Sequence, residues 1–155
     1  MATVFAPLNA VAESGIELTS ADGAVHHGHP ILASCPADYP EQCLVACTCQ
    51  NMTCPKCYIK LENFGVGKLG TPREQNNSLQ KIHHAGKQSS MAKTDEQLKC
   101  DGFNYVPEPF WADWYLADIH SVIMMPDILH QLYQGFLENL IGWLWNFIGD
   151  TELDA

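Results

Sequence analysis

The stretch Ile119 to Ile148 reads IHSVIMMPDILHQLYQGFLENLIGWLWNFI, and its two halves follow different periods. Ile119 to Met125 is short, apolar and β-branched at Ile119, Val122 and Ile123, the pattern expected of a buried strand. Pro126 then removes a backbone donor and fixes φ, which ends strand pairing. From Asp127 onward the spacing becomes helical. Leu129, Leu132, Tyr133, Phe136, Leu137, Leu140, Ile141, Leu144, Phe147 and Ile148 form one wide apolar face. The stretch therefore predicts strand, corner and long core helix, with Asp127 and His130 at the corner. An acid and an imidazole at the end of a buried strand are well placed for chemistry in a sheet-based enzyme.

A chain of 155 residues, 46% hydrophobic and 17% charged, suffices for a domain with a real core. Its net charge of -10 argues against simple wrapping of nucleic acid. The distribution says more than the total. All eight cations fall between Lys56 and Lys99, beside four acids, whereas the flanks hold fourteen acids and no Lys or Arg. A mildly basic, polar middle is thus joined to acidic, apolar flanks. The N-terminus lacks a cationic, apolar leader, and polar residues interrupt the last helix, so an intracellular chain with no membrane span is expected.

Towards the N-terminus, Val4 to Ser14 predicts a helix stopped by Gly15. Ile16–Thr19 and Ala24–His26 flank Asp22-Gly23, a hairpin signal. His29 to Cys35 predicts a second buried strand, ending near Asp38 between Pro36 and Pro40. A short helix is expected over Glu41–Ala46, and Pro109 to Tyr115 should return an aromatic cluster to the core. Tyr58 to Lys99 looks too polar to fold by burial alone, with Arg73 to Lys99 a solvated helix or arm.

Six of the seven cysteines lie between Cys35 and Cys57. Cys54-Pro55-Lys56-Cys57 has the spacing of a zinc-knuckle half, a turn that presents two thiolates to one tetrahedral ion. Cys43, Cys47 and Cys49 compete for the second pair, and His83-His84 offers an imidazole. A redox pair, or plain buried thiols, is the competing interpretation. Asp38 and Asp127 each follow an apolar run beside a proline, and such a pair could hold Mg²⁺ through oxygen ligands. The plain alternatives are an Asx-turn at Asp38, helix capping at Asp127 and a hydrogen-bonded core imidazole at His130.

Several blocks then occur in order: Ala21-Asp22-Gly23, His29-Pro30-Ile31-Leu32-Ala33, Ala37-Asp38-Tyr39-Pro40-Glu41-Gln42-Cys43 through Cys47, and Cys54-Pro55-Lys56-Cys57. Pro109-Phe110-Trp111-Ala112-Asp113 and Pro126-Asp127-Ile128-Leu129-His130-Gln131-Leu132 follow. This order resembles Plavaka-type transposases of the Kyakuja–Dileera–Zisupton group, with CACTA transposases similar in arrangement. The resemblance implies an α/β fold, a partial ribonuclease-H-like core with a zinc-binding insertion and a long C-terminal helix. It divides the chain into core (1–46), cysteine-rich insertion and polar arm (47–108), and return strand with core helix (109–155).

On that resemblance Asp38 matches the second catalytic aspartate, and Asp127 and His130 match a D-x-x-H motif. Cys43, Cys47, Cys54 and Cys57 then hold a structural Zn²⁺. Mg²⁺ or Mn²⁺ would serve only an intact transposase, whose partner is element-end DNA in the nucleus. The family's first aspartate lies upstream of residue 1 and its glutamate beyond the long helix, so an inactive transposase-derived fragment is expected. Self-association through an uncovered apolar helix is a further expectation. The rival is a zinc-stabilised module that binds protein or nucleic acid without catalysis.

Overall fold

The structure is a computed structural model that describes residues 2–114, 116–123, 125 and 127–149. It mixes helices with one small antiparallel sheet. Helix α1 (Ala2–Ser14) carries Pro7 within it and stops where Gly15 turns left-handed, φ +76°, while the Gly15 N–H reaches Val11 O at 2.8 Å. The positive φ is what favours glycine there, and the exposed His27 imidazole lies over the same spot. Strands β1 (Ile16–Thr19) and β2 (Val25–Gly28) then pair antiparallel from Ile16↔Gly28 to Thr19↔Val25. Asp22 folds the turn back by accepting the Ala24 N–H at 3.1 Å, as the Asp-Gly signal predicts. This ribbon is almost wholly exposed.

Two predicted strands are not strands. Residues 29–35 run irregularly, where Pro30 lacks a ladder donor. They dock instead through His29 Nδ1 to Ala12 O, 2.9 Å, and through Leu32 and Cys35 against the core. The predicted return strand is a π-helical turn, Ile119–Ile123. Its cause is Asp118, whose Oδ1 accepts the N–H groups of His120 (2.9 Å) and Ser121 (3.1 Å) and starts a helical turn against the β-branched preference. The proposed stop at Pro126 and the position of Tyr115 lie outside the described residues. Among the described residues the sheet is the two-stranded hairpin alone, so they do not form the central sheet of a ribonuclease-H-like core.

Helices α2 (Tyr39–Val45), α3 (Gln75–Ala85) and α4 (Met91–Asp101) carry the interior. Val45, Ala46, Cys47, Ile82, Ala85, Leu98, Phe103, Trp111, Trp114 and Ile119 make one buried cluster. The polar arm contributes Ile82, Ala85 and Leu98 to this cluster. Its few apolar residues fall on the facing sides of α3 and α4, and Thr94 Oγ1 closes the pair by donating to Ala85 O at 3.1 Å. The aromatic return segment does join the core, through Trp111 and Trp114.

The long helix is the opposite case. It runs as a π-helical segment, Leu129–Leu137, into α5 (Glu138–Ile148), and neither element has a buried residue. Trp143 is 65% and Phe147 89% exposed, so the predicted core helix is a surface helix in this structure. Periodicity reports an apolar face; it does not say what covers it. Among the described residues no helix is long and apolar enough to cross a membrane.

Candidate functional site

Asp38 precedes α2 in extended backbone, φ -68° and ψ 168°, and its Oδ1 accepts the Glu41 N–H at 2.9 Å. It is the N-cap of α2, with Pro40 in the first turn, where the absent N–H costs nothing. Gln42, one turn further and buried, donates through Nε2 to Ala37 O (2.8 Å) and to Met125 O (3.1 Å). That single amide joins two segments 83 residues apart and brings the Asp38 corner beside Asp127.

Asp127 behaves similarly. Its Oδ1 accepts the Leu129 N–H at 3.0 Å, its Oδ2 accepts the His130 N–H at 3.4 Å, and Oδ2 also pairs with His130 Nδ1. The bond to His130 first, then the Leu129 N–H, holds the Asp127 carboxyl below the usual carboxylate range. The same bond raises the His130 imidazole, and the Asp38 carboxylate adds to that rise, so its field reaches His130. His130 is exposed, which removes the core-imidazole alternative. The three residues singled out for chemistry therefore share one neighbourhood, and both carboxylates there cap helix starts. A cleft of about 340 Å³ leads from this corner to the cysteine turn, walled by Tyr39, Gln42, Cys54, Lys56, Phe64 and Gln131.

The turn Cys54–Cys57 is closed by the Cys54 N–H to Ile59 O, 3.1 Å, and the Lys56 N–H points at Cys54 Sγ, 3.4 Å. The side chains of Cys54 and Cys57 are in hydrogen-bonding contact, and Cys43 lies within electrostatic reach of Cys54. Burial raises the thiols of Cys43 and Cys57. Cys47 departs from this group. Its backbone is left-handed, φ 57°, its side chain is in the hydrophobic cluster, and burial pushes its thiol up to about 12. So placed, the Cys47 side chain packs within the core and its thiol donates to Val45 O at 3.8 Å. Cys49 donates to Asn104 Oδ1 at 3.3 Å, and His83 and His84 stand in the last turn of α3. Among the described residues no three His, Cys, Asp or Glu side chains stand in ion-holding geometry. Cys43, Cys54 and Cys57 are thiophilic donors in one neighbourhood, Cys54 in contact with Cys57 and within electrostatic reach of Cys43, with the Lys56 N–H on Cys54 Sγ.

The sequence reading passed over the polar residues that hold this arrangement. Gln75 accepts the Ile119 N–H (3.1 Å) and donates to the Trp111 and Trp114 carbonyls (3.3 and 3.1 Å), while its own N–H reaches Asp118 Oδ2 at 2.8 Å. His120 is buried and links Pro55 O to Ser78 Oγ, tying the cysteine turn to α3. No spacing signal marks them, since each is a lone polar residue. Gln42→Leu keeps the volume but leaves the Ala37 and Met125 carbonyls without that donor. Each orphaned carbonyl is worth roughly 1–3 kcal/mol, so a lower urea midpoint with an unchanged slope is expected. An unchanged midpoint would show that the amide does not join the two segments.

A family model described as Plavaka transposase matches residues 1–144. No curated protein and no solved structure matches the chain.

Proposed function

Because the chain belongs to the Plavaka transposase family, we propose that it is a transposase-derived portion of the catalytic region of a cut-and-paste DNA element, inactive alone. The observation that carries this reading is the Gln42 bridge. It sets Asp38 beside Asp127 and His130, from two family-like blocks far apart in sequence. In the complete enzyme this corner would contribute one aspartate to a ribonuclease-H-like site. There Mg²⁺ or Mn²⁺ would activate water and clamp the leaving oxygen in phosphoryl transfer. A two-metal site needs acids on both sides of the scissile phosphate, and this corner would supply one catalytic aspartate, which supports inactivity. DNA would approach the segment that holds the lysines rather than the acidic flanks, and the nucleus is where such DNA is met.

A structural Zn²⁺ at Cys43, Cys54 and Cys57 belongs to the same proposal, its role being to order the turn beside the cleft. Self-association through Tyr133, Phe136, Trp143 and Phe147 is favoured by their exposure. The second reading, a zinc-stabilised binding module, is favoured by the structural use of both carboxylates as helix caps. Salt-dependent DNA binding separates the two wherever the module's partner is protein.

The test is a nicking assay on element-end DNA with Mg²⁺ or Mn²⁺. The chain should cut no faster than its Asp38→Asn variant. A metal-dependent rate that Asp38→Asn abolishes would overturn the claim of inactivity and make Asp38 catalytic here.

A further inference from the structure

Just beyond the cysteine turn, the short 3-10 turn Leu61–Asn63 has no buried residue. Met52, Leu61, Phe64 and Val66 are between 40% and 56% exposed, a run of apolar side chains on the surface. Backbone bonds hold the run together. The bridge Thr53↔Lys60 sets Met52 beside Leu61, the Leu61 N–H reaches Met52 O at 3.0 Å, and the Phe64 N–H reaches Leu61 O at 3.0 Å. Two clefts adjoin it: one of about 560 Å³ that includes Met52, Leu61, Lys60 and Lys99, and the 340 Å³ cleft that includes Phe64 and Lys56. Among the described residues Lys56, Lys60 and Lys99 have no ion-pair partner. Glu62 stands exposed among them, and the Asp101 carboxylate is taken by Lys81 at 2.9 Å. The patch is therefore apolar with an excess of positive charge at its rim.

The long helix is its complement. Phe136, Leu140, Trp143 and Phe147 recur at the spacing of an amphipathic helix that lies in a groove, and neither segment of that helix has a buried residue. From Asp127 to the C-terminus the sequence holds five acids and no Lys or Arg. An apolar, acidic element thus matches an apolar, basic one, and opposite potentials of this kind steer and orient association. The helix does not reach its own patch. Gln131, near its start, lines the Phe64 cleft, whereas Phe147 lies roughly 24 Å further along the axis.

We infer that the patch of Met52, Leu61, Phe64 and Val66, with its rim of lysines, is the docking site for the C-terminal helix of a second copy of this chain. The inference rests on the self-association reading above and names the surface that accepts the helix. The contact joins helix to patch, two different surfaces, rather than helix to helix.

The experiment is sedimentation velocity of the full chain across a concentration series. One variant, Leu61→Ser with Phe64→Ser, removes the patch; another, Trp143→Ser with Phe147→Ser, removes the helix face. Each should associate at least about tenfold more weakly than the wild type. Mixed in equal amounts, they should form a 1:1 complex that neither forms alone, because one supplies a helix and the other a patch. Lys56→Glu with Lys60→Glu, a change of surface charge only, should also weaken association and remove much of its sensitivity to salt. That variant carries the test if either serine variant loses its fold by circular dichroism. A patch variant that associates like the wild type, a mixture that stays monomeric, or lysine variants without effect would overturn the docking site and leave self-association to another contact. A wild-type chain that is monomeric at every concentration would sink the self-association reading itself, and this inference with it.

Discussion

Trp111→Ala should leave most of the chain without fixed tertiary structure near neutral pH. Trp111 is fully buried, its indole meets His120 edge-on at 6.1 Å, and its Nε1 donates to Val45 O at 2.7 Å. Truncating a buried tryptophan costs roughly 3–5 kcal/mol through lost transfer energy and a residual cavity. The Val45 carbonyl, left buried and unpaired, adds about 1–3 kcal/mol. Set against the lower end of the roughly 5–15 kcal/mol range for a small domain, that combined loss is about as large as the whole stability. Trp111→Phe separates the contributions in part, because it keeps one ring in the space while removing the donor and the rest of the indole. It should be destabilised, but by less than half as much as the alanine variant. Urea unfolding followed by far-ultraviolet circular dichroism reads both, and an alanine variant with the wild-type midpoint would show that Trp111 is not the centre of this core.

The same tryptophan shows what the sequence could reveal. Pro109 to Tyr115 is dense in aromatic residues, and composition alone sends such a run inward. Asp22-Gly23 and Gly15 were equally legible, because a turn and a helix stop depend on the φ preferences of one or two residues. Asp127 as a cap was legible for a similar reason. What failed was longer in range. Ile119 to Ile123 carries β-branched residues, yet Asp118 caps a helical turn there, and a single side chain outweighs the propensity of five. The cysteine spacing could place Cys54 with Cys57. It could not show that Cys47 would turn left-handed and pack in the core while Cys43 came within electrostatic reach of Cys54. The meeting of Asp38 with Asp127 depends on one glutamine amide, a residue type with no motif of its own.

His120 was placed on a strand and is instead the buried bolt between the cysteine turn and α3, which makes acid stability depend on it. Pro55 O can only accept, so the proton is on Nδ1 (2.7 Å), and Nε2 takes the Ser78 hydroxyl proton (2.9 Å). The neutral ring therefore satisfies both partners. Burial is the main force holding the imidazole below its ordinary value; the Pro55 carbonyl opposes it, and Arg73 adds to the depression. In the unfolded chain the ring titrates near its ordinary value of about 6.5. Between that value and the lower folded one, the unfolded state binds a proton that the folded state refuses. Stability is thus fully present above about pH 6.5 and falls as the pH drops below it, by at most about 1.4 kcal/mol per pH unit for this one group. His120→Phe should abolish this component, since phenylalanine fits beside Trp111 and Phe103 and does not titrate. It should also be less stable at every pH, because Ser78 Oγ and Pro55 O lose their partner, roughly 1–3 kcal/mol each. Urea midpoints at pH 7.5 and 5.5 test both parts: the wild-type value should fall more steeply toward acid, and the two proteins should converge. Parallel pH dependences would mean that His120 does not carry the acid sensitivity, and that another titrating group must.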